Sequence, residues 1–154
     1  MTRFNSSFPE HQVSEDWVNL HATGAEVATG TGSVVAELPA KARAIVAAFD
    51  LTAVGTLVGD TFDLYVQTKL EQSGTDVWVD VIHFVQSLGN GGVLRYYDKI
   101  VAALDQATFE DGDALGAGAK RHLFGSEWRC RWVIVDGGGT HSFTFTCTLQ
   151  PVSG

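Results

Sequence analysis

The segment "EWRCRWVIVDGGGTHSFTFTCTLQ", residues 127–150, constrains the fold more than any other part of the chain. Two runs of alternating apolar and polar residues flank three consecutive glycines. Alternation with period two marks a β-strand with one buried face, because successive side chains leave a strand on opposite sides. Read as a hairpin turning between Gly138 and Gly139, the pattern pairs Ile134 with Phe143, Trp132 with Phe145, Cys130 with Cys147 and Trp128 with Leu149. Those eight side chains then share one face. The other face pairs Val135 with Ser142, Val133 with Thr144, Arg131 with Thr146 and Arg129 with Thr148. A slip of one residue would set Ser and Thr against the tryptophans, so the pattern specifies one register. The expectation is a half-buried hairpin laid on a core. It allows a single Cys130–Cys147 bridge, whereas a reducing cytoplasm favours two buried thiols.

Upstream, "ARAIVAAFDLTAV" (42–54) alternates Ile45, Ala47, Phe49 and Leu51 inward. "DTFDLYVQTKLEQ" (60–72) sets Phe62, Leu64, Val66 and Leu70 against Asp63, Gln67, Lys69 and Glu71. "DVWVDVIHFVQ" (76–86) is apolar on both sides except for Asp80 and His83; its facing stays open between Trp78/Ile82/Phe84 and Val77/Val79/Val81, and a β-bulge would satisfy both. "TGTGSVVAEL" (29–38), the first half of "VLRYYDKIVAAL" (93–104) and "RHLF" (121–124) read as further strands. "DQATFEDGDALGAGAK" (105–120) reads as an acidic loop. Seven or eight short strands separated by glycine turns, with no long amphipathic helix, predict one antiparallel β-sandwich, jelly-roll-like or immunoglobulin-like. Cysteines in adjacent strands of one hairpin disfavour the immunoglobulin variant, whose bridge joins opposite sheets. Residues 1–24 lack a sustained period, so the division is an extended N-terminal arm (1–24) and a sandwich domain (25–154). Phe4, Phe8, Trp17 and Leu20 are the arm's apolar anchors for a partner surface, with one helical turn near "SEDWVNL" capped by Ser14.

A chain of 154 residues suits one domain able to bury a sizeable core. Its net charge of −8, with scattered basic residues, argues against a nucleic-acid partner. No apolar stretch is long enough to span a membrane, and "MTRFNSSFPEHQ" lacks the apolar segment of a secretory signal. His11, His21, His83, His122 and His141 fall in no metal-ligand spacing, which predicts surface or satisfied histidines. No nucleophile elbow is present, and "GTGS" (30–33) lacks the lysine and following helix of a phosphate loop. Glu110, Asp111 and Asp113 lack the regular oxygen-ligand spacing of a calcium loop. The expectation is therefore no catalytic residue, no cofactor site and no metal site.

The order of four segments carries a resemblance. "ATGTGSVVAEL", "ARAIVAAFDLTAV", "DLYVQTKLEQSGTDVWVDVIHF" and "GSEWRCRWVIVDGGGTHSFTFTCTLQ" together resemble small β-sandwich structural virion proteins of tailed bacteriophages. The likeness covers roughly residues 28–87 and 124–152; the N-terminal segment and residues 93–120 depart from it. It implies a structural virion protein, a head decoration or head-spike-base subunit, made in the host cytoplasm and lying on the outer surface of the head. The implied partners are capsid or neighbouring structural subunits, including copies of the chain itself. A tail or neck component is the alternative within the class. Outside it stand a carbohydrate-binding sandwich with Tyr96 and Tyr97 as a sugar platform, and a hydrolase with scattered carboxylates.

Overall fold

The computed structural model describes residues 17–36, 42–55, 58–72, 75–102, 115–138 and 141–153. The described residues are all β or connecting loop. The strands are β1 (Val18–Glu26), β2 (Gly30–Thr31), β3 (Val35–Ala36), β4 (Ala42–Ala53), β5 (Thr61–Gln72), β6 (Thr75–His83), β7 (Ser87–Leu88), β8 (Leu94–Val101), β9 (Glu127–Val135) and β10 (Phe143–Ser153). One sheet has the order β1-β10-β4-β8 and the other β2-β9-β5-β6, with β3 beside β9 and β7 beside β5. Every pairing is antiparallel. Taking β2 and β3 as one interrupted strand, the chain changes sheet at every connection except those joining β5, β6 and β7. This is the double Greek key of a jelly roll.

The 127–150 hairpin is not formed. β9 belongs to the second sheet and β10 to the first, so the glycine connection carries the chain across the sandwich. Trp128, Cys130, Trp132, Phe143, Phe145, Cys147 and Leu149 are buried as expected. They meet from facing sheets rather than side by side in one sheet. The outward arginines accordingly pair with β5, Arg131 opposite Tyr65 and Arg129 opposite Gln67, and not with threonines of β10. Both cysteines are buried free thiols. The same-hairpin placement that counted against an immunoglobulin-like arrangement is therefore not observed: the cysteines lie in opposite sheets, within a jelly-roll strand order.

Elsewhere the alternation translates directly. Ile45, Ala47, Phe49 and Leu51 of β4 point into the core, as do Phe62, Leu64 and Val66 of β5. A bulge resolves the open facing of β6: Val66 pairs with Ile82 and Gln67 with Asp80, so Val81 is the extra residue. Val79, Val81, Ile82 and Phe84 are all buried as a result. Residues 121–125 run as irregular chain, with one isolated bridge between Lys120 and Ile82, rather than as the strand read from "RHLF".

The arm boundary also moves. Residues 18–26 form edge strand β1, paired with β10, and Leu20 is a fully buried core residue. Leu20 is thus no anchor for a partner, and the helical turn is replaced by strand from Val18 onward. Trp17, just before the strand, is 43% exposed. Phe4, Phe8 and Ser14 lie outside the described residues. So do Glu110, Asp111 and Asp113 of the acidic loop.

Candidate functional site

The jelly-roll path gathers four connections at one end of the sandwich: β1 to β2, β4 to β5, β7 to β8 and β9 to β10. Their backbones interlock. Gly59 and Gly137 approach so closely that a Cβ on Gly137 would overlap the Gly59 backbone. Asp60 sits beneath this contact with no exposed surface. Its Oδ1 accepts the Gly137 N–H at 2.8 Å, and its carbonyl accepts the Gly89 N–H at 2.9 Å. Its Oδ2 is buried with no hydrogen-bond partner. His141 enters from the same connection as Asp136. Its Nε2 donates to the Val27 carbonyl at 2.6 Å, and its Nδ1 lies 3.3 Å from Asp136 Oδ1. One ligand-type atom from each of Asp60, Asp136 and His141 falls within 4.8 Å of the other two.

Apolar surface rings this end. Val27, Val58, Leu88, Val93 and Val135 are exposed there. They leave from the ends of β1, β5, β7, β8 and β9, which the strand pairing brings together. An open groove of about 440 Å³ adjoins, lined by Asp50, Leu51 and Thr52 of β4 with Val93, Leu94 and Arg95. The Arg95–Asp50 ion pair, 2.6 Å long, closes its polar side.

A second polar constellation covers the outer face of β6-β5-β9. His83 is buried with Nε2 2.8 Å from Asp63 Oδ1 and Nδ1 2.7 Å from the Leu115 carbonyl. Gln86 donates to the other Asp63 oxygen at 2.7 Å. Tyr65 stacks on His83 with centroids 4.0 Å apart, and the Arg131 guanidinium lies 4.5 Å above the Tyr65 ring. Burial, then the Asp63 charge, pushes the Tyr65 phenol above its ordinary value. Arg129 covers Trp78 at 4.2 Å and donates to Gln67, which donates in turn to Asp80. Burial, followed by the neighbouring Arg131 charge, pulls the Arg129 guanidinium down. Each named group here satisfies another, which is the behaviour of a structural sheet face.

Of the sequence-predicted site residues, the described ones do not converge: Trp17 stands at the opposite end of the sandwich, and Leu20 is in the core. Tyr96 and Tyr97 leave opposite faces of β8. Tyr96 packs towards Phe49 at 6.3 Å, while Tyr97 is 61% exposed, so the two form no shared platform. The Asp60–Asp136–His141 cluster went unseen in the sequence because Asp60 is remote from the other two along the chain. The one local signal was that Asp136 and His141 flank the glycine connection.

Fold and surface define an acidic jelly-roll sandwich with one interlocked, apolar-rimmed end. No family model and no curated protein matches the sequence.

Proposed function

We propose that the chain is a non-enzymatic structural subunit of a tailed phage or phage-like particle, a head decoration or spike-base protein on the outer surface. The observation that carries this reading is the ring of exposed Val27, Val58, Leu88, Val93 and Val135 at one end of a rigid jelly roll. A cluster of exposed apolar side chains on an otherwise acidic domain marks a surface that another protein covers. Interlocked loops suit it to repeated docking, because little ordering remains to be done on contact. The two ends of the described chain, at Trp17 and Ser153, lie at the opposite end of the sandwich from the apolar rim. A subunit with contacts at both ends can join neighbours in a ring when the rotation between copies closes. The acidic charge fits a position away from packaged nucleic acid. The resemblance in segment order points to the same class.

The test is localisation. Reconstruction of particles containing the chain should show its density on the outside of the head, with the apolar end buried against a neighbour. Density on the neck or tail would move the assignment within the class. Absence from purified particles, combined with turnover of a glycan by the purified protein, would overturn it.

A further inference from the structure

We infer that Asp60, Asp136 and His141 form a site for a transition-metal dication of the zinc type, which ties together the connections at the apolar end. The argument starts from hydrogen-bond direction. A carbonyl oxygen only accepts, so His141 must donate from Nε2 to Val27 at 2.6 Å. In a neutral ring, Nδ1 then carries a lone pair, and that nitrogen lies 3.3 Å from an Asp136 carboxylate oxygen. Two lone pairs facing each other at that range call for a cation between them.

A proton on the ring supplies one cation, and the same geometry recurs twice elsewhere. His21 lies between the Phe145 carbonyl and Glu26, and His83 lies between the Leu115 carbonyl and Asp63. At those two sites the pairing of ring, carbonyl and carboxylate completes the arrangement. At His141 it does not, because Asp60 remains. Asp60 has no exposed surface, and its Oδ2 has no hydrogen-bond partner. A buried carboxylate oxygen without a partner is strongly disfavoured. A dication reached by one atom from each of the three residues, all within 4.8 Å of one another, gives that Asp60 oxygen its partner.

The surroundings are those of metal ligands. A ligating imidazole usually donates its second N–H to a carbonyl or carboxylate, and ligating carboxylates are themselves hydrogen-bonded. Here the Val27 carbonyl orients His141, and the Gly137 N–H orients Asp60. One imidazole nitrogen with two carboxylates suits zinc and its neighbours; calcium asks for six or more oxygens. Asp136 is half exposed, so water has access to the remaining coordination position.

The full chain, stripped with a chelator, should bind close to one equivalent of zinc chloride by calorimetry. Its Tm should rise with zinc concentration, as for any ligand selective for the folded state. Asp136→Asn and His141→Gln should each weaken zinc by more than about tenfold, the scale seen even for outer-shell partners of metal ligands. Asp136→Asn alters a half-exposed side chain, so its apo Tm should stay near that of the parent and separate lost binding from lost folding. Cobalt(II) should give visible ligand-field bands without a thiolate charge-transfer band. Four outcomes would each overturn the site: no zinc binding by the folded parent chain; undiminished affinity in both variants; a cobalt–thiolate band implicating Cys130 and Cys147; or calcium binding as tightly as zinc.

Discussion

At the scale of single residues, buried polar groups separate packing from chemistry. His83 and Asp63 form a pair inside the protein, and removing one partner leaves the other charged or unsatisfied in a poor solvent. His83→Leu should lower the unfolding free energy by about 3–5 kcal/mol, measured by denaturant titration. The thiol pair makes a different prediction. The hydrogen bond with Cys130, then burial, raises the Cys147 thiol well above the ordinary range of a cysteine. An unfolded thiol ionises as pH passes its ordinary value while the folded one stays protonated, so the unfolded state binds fewer protons. This contribution to stability is full below the unfolded pKa. It declines as pH rises above it and is lost by the folded value. Unfolding free energy followed from pH 7 to 10 should therefore fall more steeply in the parent than in Cys147→Ala.

At the scale of elements, the connection between β9 and β10 carries the main lesson. Period-two alternation reports that one face of each strand is buried. It does not report whether the two strands are neighbours in one sheet or face each other from two, because both put the same side chains into one core. The register read from the sequence failed for that reason, while seven of its eight inward residues are buried and Ile134 packs partly buried against them. Trp132 shows what the sandwich adds. Its ring packs against Phe145 at 5.2 Å and His21 at 4.9 Å, and its Nε1 donates to the Ala28 carbonyl at 2.8 Å. Trp132→Ala should cost about 3–5 kcal/mol, read as a lowered denaturation midpoint at unchanged slope. Gly137 lies on the cross-sandwich connection itself. Gly137→Ala should destabilise by at least about 1 kcal/mol, because a backbone rather than a flexible side chain would have to move. Its Tm against that of the parent is the check.

At the scale of the whole molecule, the two ends of the sandwich have different work in the proposed assembly. One carries the apolar rim; the other carries exposed Trp17, where the described chain begins. Deleting residues 1–16 should leave a cooperatively folding domain that assembles poorly. Deleting residues 1–24 removes most of β1 with Leu20, and should abolish cooperative unfolding. Circular dichroism melts and sedimentation of the two truncations distinguish the outcomes. If the 1–16 deletion assembles normally, that segment does not contribute to the assembly.

The class of fold, the strands β4, β5, β6, β9 and β10, the first half of β8, and the inward residues of β4 were legible in the amino-acid sequence alone. All of these follow from alternation and glycine placement within a dozen residues, where burial acts through local geometry. Strand β1 was missed as an edge strand because its pattern is irregular, with register shifts around His21. Which strands neighbour which, and hence that β9 and β10 face each other, was decided only in three dimensions. The same holds for the candidate metal cluster. Asp60 and His141 meet because the jelly-roll path returns four connections to one end, and no spacing along the chain encodes a meeting that depends on sheet order.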